Sequence, residues 1–451
     1  MGGPEIDKDH MKLPKFSSML LIALLIVSAA LFIMVVVHRD HAERFFAADK
    51  KDPAEPPSQD LAKNSWRFVV SGDSRNCGDV VVPAIAAHSA KSYQPSFYWH
   101  LGDLRAIYMV DEDMAFAGSE TSGRKMLCQD YLKQAWPDFV KHQIYPFGKT
   151  SYYLGIGNHE VIPPKGYPPG SPQARQPEAN EAQFTSYFSD WLLAPAIREQ
   201  RLKDQDCDNP PSTKMPGKGK KAIAKATCVV LPRNYYHWIQ GGVDFIYLDN
   251  ASNIFGPGQL DWFLKRVAAA KDNTTVQSLV IGMHEALPDS ISSNHAMCDD
   301  NKKQDQMYPY DQSCREGRQA YTALLDLQNT SGKQVYVLAS HSHFYMDGIF
   351  KKKPVSERLR GWIVGTAGAI RYALPGESDL SNHAETDVYG YLVGTVDGKG
   401  NIRFDFQRIT EAEVPPEARQ RYQPEFVNWC FAHNSENREP TAPIRTNKCL
   451  P

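Results

Sequence analysis

From residue 66 onward, short apolar or β-branched runs recur between turn residues, with stretches of helical spacing between several of them. The runs at 66–71 (WRFVVS), 96–101 (SFYWHL), 243–248 (VDFIYL), 276–282 (VQSLVIG), 334–339 (QVYVLA), 361–365 (GWIVG), 390–396 (GYLVGTV) and 402–407 (IRFDFQ) predict strands. Residues 259–270, QLDWFLKRVAAA, follow a Gly-Pro-Gly turn and place Leu260, Phe263, Leu264 and Val267 on one helical face. Helices are also expected at 130–140 and 318–327. The strands are too far apart for a hairpin sandwich, so the pattern predicts a layered α/β domain.

The hydrophobic pattern is different at the N-terminus. Residues 17–37, SSMLLIALLIVSAALFIMVVV, are 21 positions without a charge. A helix of that length spans about 30 Å, the thickness of a bilayer's hydrocarbon core. It is read as a transmembrane signal-anchor helix, with a cleaved signal peptide (and hence a secreted protein) as the alternative. No convincing small-x-small cleavage site precedes the polar segment HRDHAER. Lys8, Lys12 and Lys15 before the span are balanced by Arg39, Arg44, Lys50 and Lys51 after it, so flanking charge does not set orientation. The resulting division is a tail at 1–16, the span at 17–37, a Pro-containing polar tether at 38–65, a domain at 66–410 and an extension at 411–451. Two insertions stand out. Residues 161–180 carry six prolines and read as irregular loop, and 213–227 carry five lysines and no acid, which reads as a solvated basic loop.

With 451 residues, 42% of them hydrophobic, the chain can bury a large core, and a net charge of -2 gives no signal for nucleic-acid binding. No protein partner is inferable. The eight cysteines contain no CxxC or Cys/His cluster and are read as candidate disulfides. Pairing each with its neighbour in the chain gives short loops: Cys77 with Cys128, Cys207 with Cys228, Cys298 with Cys314 and Cys430 with Cys449. Such bonds require an oxidising compartment, which places the bulk of the chain outside the cytoplasm. The sequons at Asn273 and Asn329 are compatible with that.

The chemistry lies just past the strands. Gly72-Asp73, Gly102-Asp103, Gly157-Asn158-His159-Glu160, His284 and His341-Ser-His343 all sit at strand-to-loop junctions. Any one of these has an ordinary explanation as a turn or an isolated histidine. Five oxygen- or nitrogen-ligand motifs at the strand ends, where α/β folds build their sites, point to a metal centre. Mixed N/O donors suit Mn, Fe or Zn better than Ca.

The ordered series GD, GD, GNHE, His, HxH, over roughly residues 66–372, resembles the calcineurin-like metallophosphoesterase superfamily, as do Gly365-Thr-Ala-Gly368 and the QLDWF helix. The resemblance implies a four-layer αββα sandwich and hydrolysis of a phosphoester by a metal-activated water. It also implies two divalent or trivalent ions. In that scheme Asp103 bridges both ions, Asp73 and His343 hold the first, and Asn158, His284 and His341 hold the second. His159 is the catalytic histidine, and Glu160 orients its ring. The substrate class stays open: monoester, diester, nucleotide and lipid-linked phosphoesters all use this chemistry.

The stretch Asp73-Ser-Arg-Asn-Cys77 departs from the family's Asp-x-His, because Arg75 stands where that histidine would. A guanidinium cannot coordinate a cation. Three readings remain: Asn76 supplies an oxygen, as the spacing of the purple-acid-phosphatase branch suggests; three protein ligands suffice; or the first site is weak. Arg75 is in turn a candidate phosphate-binding residue. A catalytically impaired binding protein on the same fold is the alternative to an enzyme.

Overall fold

The computed structural model describes residues 65–122, 128–161, 177–209, 228–300, 303 and 309–438. The span expected at 17–37, the tether up to residue 64, the basic loop at 213–227, most of the proline-rich insertion, the Cys128 side chain and Cys449 lie outside the described residues. Among those described, no helix is long and apolar enough to cross a membrane.

Among the described residues, twelve strands form two sheets. In chain order they are β1 (Trp66–Ser71), β2 (Phe97–His100), β3 (Ser151–Leu154), β4 (Tyr236–Gln240), β5 (Val243–Leu248), β6 (Ser278–Met283), β7 (Gln334–Ala339), β8 (Tyr345–Asp347), β9 (Arg360–Val364), β10 (His383–Glu385), β11 (Tyr389–Val396) and β12 (Ile402–Ile409). The five-stranded sheet runs β12-β11-β1-β2-β3 and the seven-stranded sheet β10-β8-β9-β7-β6-β5-β4. Each has a parallel core, β1-β2-β3 in one and β5-β6-β7-β9 in the other, edged by antiparallel strands. Parallel cores matter here because they bring several strand C-termini to the same edge.

Alternation along the strands sends one set of side chains between the sheets. Phe68, Phe97, Trp99 and Tyr153 of the first sheet meet Trp238 and Phe245 of the second, with ring centroids at 5.0 Å for Phe68–Phe245, 5.3 Å for Trp99–Trp238 and 4.0 Å for Tyr153–Trp238. The polar ends of this aromatic layer are satisfied. Trp99 Nε1 donates to the Tyr236 hydroxyl at 3.1 Å, and that hydroxyl donates to the Leu154 carbonyl at 2.9 Å. On the outer face of the second sheet, Phe263 and Val267 from helix Gln259–Asp272 and Ala320, Leu324 and Leu327 from helix Tyr310–Ser331 pack on Leu279, Ile281, Val335 and Val337. Helices Gly78–Ser92 and Pro416–Ala432 complete the core of the first sheet. The molecule is a mixed α/β sandwich.

The eight expected strands are all present, but β3, β4, β8 and β10 were not foreseen. β3 (SYYL) and the edge strands are too short to show a period, and β4 (YHWIQ) carries no turn-bounded aliphatic run. The helix expected at 318–327 is the centre of a 22-residue helix. In the described part of the C-terminal extension, up to residue 438, Tyr422, Phe426, Val427 and Cys430 are buried, and Phe426 stacks on Phe116 at 4.8 Å.

Cysteine connectivity needs correcting. Cys207–Cys228 and Cys298–Cys314 pair as neighbours, but Cys77 bonds to Cys430, 353 residues away, rather than to Cys128, and Cys430 is therefore not bonded to Cys449. Neighbour pairing minimises loop closure in an open chain. In the folded chain, the C-terminal helix lies against the helix that follows Cys77, bringing the two Cα atoms to 5.8 Å. Three disulfides among the described residues fit an oxidising compartment.

A buried histidine makes stability pH-dependent. His237 Nδ1 lies 2.9 Å from Asp244 Oδ1 and its Nε2 2.6 Å from Asp204 Oδ2. Burial lowers the affinity of the ring for a proton, but the charges and hydrogen bonds of Asp244 and Asp204 prevail and raise its pKa to about 9. The raised value belongs to the folded state, so the stabilisation is complete below the unfolded pKa of about 6.5 and is lost as pH rises through about 9. Thermal denaturation of the full-length chain should show stability falling over that window by on the order of 3 kcal/mol, and His237→Gln should flatten the fall.

Candidate metal centre

Residues just past the ends of β1, β2, β3, β6 and β7 meet at one edge of the paired sheets. Backbone bonds lock these loops together: Asp73 N to Gly102 O and Ser74 N to Asp103 O at 3.0 Å each, and Ser340 N to His284 O at 3.0 Å. Asp73, Asp103 and His341 have φ of 60°, 58° and 65°. Left-handed backbone costs roughly 1 kcal/mol or more at a non-glycine residue and is least costly at Asp or Asn. Close approach of the loops also demands glycine. A Cβ on Gly157 would stand 2.3 Å from Asp103 Oδ1, and one on Gly365 2.8 Å from Asp73 Oδ2. That close pass explains the Gly365-Thr-Ala-Gly368 stretch, which runs directly behind Asp73, with Ala369 N donating to Asp73 O at 2.8 Å.

Asp73, Asp103, His284 and His341 each offer one donor atom, and all four atoms lie within 4.8 Å of one another. Asn158 joins them, its Oδ1 2.9 Å from His284 Nε2. His284 Nε2 also lies 3.0 Å from His341 Nδ1 and 3.4 Å from Asp103 Oδ1. Its Nδ1 faces the Leu101 carbonyl at 3.1 Å, so the neutral ring carries its proton there and turns the Nε2 lone pair inward. His343 repeats the arrangement: Nδ1 donates to Ile370 O at 2.7 Å, and Nε2 lies 3.2 Å from Asp73 Oδ1. Asp73 Oδ1 and Asp103 Oδ2 are buried without a hydrogen-bond partner. Lone pairs and ionised oxygens converging on one point fit a bound cation.

Electrostatics agree. Burial pushes the Asp73 carboxyl up, but the His343 and His284 rings, acting as cations when no metal is bound, and the His341 N–H outweigh it and hold the group at about 2. Asp103 is driven the other way, well above the carboxylate range, by burial and by the neighbouring Asp73 charge. A cation between two such carboxylates removes that repulsion.

Around this cluster the structure departs from two expectations. Glu160 does not orient His159. Its carboxylate accepts the backbone N–H groups of Asp103, Leu104, Arg105 and Gly157 at 3.0, 2.7, 3.1 and 2.7 Å, stitching the Gly-Asp loop after β2 to the Gly-Asn-His-Glu loop after β3. The His159 ring is held instead by Tyr108, whose hydroxyl meets Nδ1, and by Arg75, whose Nη1 donates to Nε2 at 2.8 Å. Asn76 does not face the cluster, because Ile370 N donates to its Oδ1 at 3.1 Å and its amide donates to Glu112. Arg75 is also paired with Asp111, through Nε and Nη2 at 3.2 Å each.

A guanidinium only donates, so His159 Nε2 is unprotonated in this arrangement. Burial, Arg75 and the rings of His343 and His284 all push the His159 pKa well below its usual range. Reading the sequence missed Tyr108, Asp111 and Tyr372, the last stacked on His343 at 4.0 Å. Tyr108 and Asp111 lie within eight residues of Asp103, which was a usable signal. Tyr372 had none.

No family model matches the chain, and no curated protein matches it. Among solved structures it is similar to GAP50, the anchor in the inner membrane complex of Plasmodium, at 11% identity and a TM-score of 0.43, covering 78% of this chain and 87% of that one. It is similar to the purple acid phosphatase PPD1 from yellow lupin (Lupinus luteus) seeds at 15% identity and a TM-score of 0.46, covering 78% of this chain and 53% of that one. PhoD gives 12% identity and a TM-score of 0.42, covering 78% of this chain and 72% of that one. This chain thus spans about half the length of the lupin phosphatase. At such scores the likenesses carry no inference about activity.

Proposed function

We propose that this chain is a metal-dependent phosphoester hydrolase. The observation that carries the reading is the convergence of Asp73, Asp103, Asn158, His284 and His341 from separate strand ends, with two buried carboxylate oxygens left for a cation. Asp73, Asp103, Asn158, His284, His341 and His343 would hold the metal, of the Mn, Fe or Zn type. When bound, such an ion supplies Lewis acidity at a phosphoryl oxygen and acidifies water. The chain's own residues do the rest. The carbonyls of Leu101 and Ile370 fix the tautomers of His284 and His343, so that their Nε2 atoms face the site. Glu160 holds Asp103 and Asn158 in register by binding both loops. Arg75 and Tyr108 fix the His159 ring at the rim, where it lies 3.6 Å from Asp103 Oδ2.

The domain would act outside the cytoplasm, anchored by the 17–37 span, on a phosphoester for which lipid-linked molecules are candidates. The disulfides support that compartment. A second reading, a catalytically impaired binding protein on this fold, is favoured by one observation: the Nε2 lone pair of His159 is taken by Arg75.

The test is hydrolysis of p-nitrophenyl phosphate and its bis ester by full-length protein. Chelation should abolish turnover, Mn²⁺ should restore it, and His284→Ala should cost about 10³-fold, equivalent to roughly 4 kcal/mol. No metal-dependent turnover on a broad phosphoester panel sinks the enzyme reading.

A further inference from the structure

We infer that the centre holds one tightly bound ion rather than a matched pair, and that Arg75 is the fixed cation beside it. This rests on the metal-centre reading above.

The donor geometry is unequal. Asp73, Asp103, His284 and His341 place their donor atoms within 4.8 Å of one another. Ligands about 2.1 Å from an ion stand up to about 4.2 Å apart, so a set this compact closes around a single ion after a small contraction. Asn158 Oδ1, 2.9 Å from His284 Nε2, adds a fifth donor on the same side.

A second ion on the Asp73 side would have few ligands of its own. His343 Nε2 is there, 3.2 Å from Asp73 Oδ1, but Asp73 already belongs to the compact set. Of the three residues that follow Asp73, Ser74 offers only a neutral hydroxyl, buried without a hydrogen-bond partner, and Arg75 and Asn76 are committed elsewhere. Asn76 gives its oxygen to Ile370 N and its amide to Glu112. The Arg75 guanidinium is buried and spans from Asp111 to His159. It offers no lone pair, and its charge already acts on Asp103. A mobile cation placed near it would meet repulsion in a site of low dielectric. The arginine thus supplies fixed positive charge at the rim, where a coordinating side chain would have drawn in an ion.

Full-length protein stripped with a chelator, reloaded with Mn²⁺ and freed of loose metal by gel filtration gives the test. Elemental analysis should count one Mn per chain, and the electron paramagnetic resonance spectrum should be that of an isolated ion. Arg75→His, which restores an imidazole at that position, should raise the count to two and produce an exchange-coupled spectrum. Two coupled ions in the unaltered protein overturn the inference and leave the metal-centre reading intact. No retained ion overturns both. A folded Arg75→His protein that still holds one ion removes the role assigned to Arg75, and should that variant fail to fold, the count in the unaltered protein still decides the stoichiometry.

Discussion

Glu160→Ala is expected to abolish metal retention and to destabilise the domain by about 4 kcal/mol or more. The side chain is fully buried and accepts four backbone N–H groups, three from consecutive residues Asp103, Leu104 and Arg105 and one from Gly157. Each buried donor left without a partner costs on the order of 1–3 kcal/mol, so even partial relaxation leaves a loss that is a large share of a domain's 5–15 kcal/mol. The loss falls on the site itself. Asp103 and Asn158 sit on the two loops that Glu160 joins, and the left-handed backbone at Asp103 would lose the acceptor of its own N–H. Chemical denaturation and Mn²⁺ counting on the same sample check the two effects together. A variant of unchanged stability that keeps its metal would show that the loops hold themselves. Glu160→Gln should fall between, since an amide keeps one acceptor and turns its NH2 against the remaining donors.

Arg105→Leu should cost at least about 3–5 kcal/mol, the range for removing one partner from a buried ion pair. Arg105 is fully buried and its guanidinium meets three carboxylates. Nη1 donates to Asp113 at 2.9 Å, and Nη2 lies 2.9 Å from Asp138 and 2.5 Å from Asp79. Among the described residues, Arg421 remains to balance them, at 2.6 Å from Asp138 and 3.7 Å from Asp79, with the His142 ring 3.7 Å from Asp138. Burial already raises the Asp113 and Asp138 carboxyls above their ordinary range against the pull of Arg105. Without Arg105 the buried carboxylates can ease their repulsion only by taking up protons, which raises their folded-state pKa further. The destabilisation should therefore be largest near pH 8 and shrink as pH falls toward 5. Arg105→Lys should not rescue, because a single ammonium cannot serve the fork that three acceptors require. Equal losses at both pH values would mean that packing, not charge, is what Arg105 contributes. The same network reaches the C-terminal helix through Arg421 and Tyr422, whose hydroxyl donates to Asp79, so the centre's scaffold and the chain's end stand or fall together.

Much of the site was legible because its signals are local. Gly72-Asp73, Gly102-Asp103 and Gly157-Asn158 each join a residue that permits close approach to one that tolerates left-handed backbone or offers oxygen, directly after a β-branched or aromatic run. Such a pattern can be read in any short window. Roles that depend on orientation were not legible. Glu160 was assigned to the His159 ring because it is adjacent in the chain, but residue 160 lies inside the helical turn Asn158–Val161, which points its carboxylate back at the Gly-Asp loop. Asn76 has the right spacing for a ligand, yet its φ of 62° turns it toward Ile370 and Glu112.

The sequence by itself determined the α/β class, the eight principal strands and the residues that meet at the strand ends, since hydrophobic period and turn chemistry are properties of a few consecutive residues. Only the tertiary structure decided what those residues touch. It bonded Cys77 to Cys430 rather than to a neighbour, turned Arg75 to Asp111 and His159, and drew four donors into one compact set while leaving Asn76 outside it. Each of these depends on which loops the two sheets bring to a common edge, a distance of a few ångströms between residues tens or hundreds of positions apart, and no local pattern encodes it.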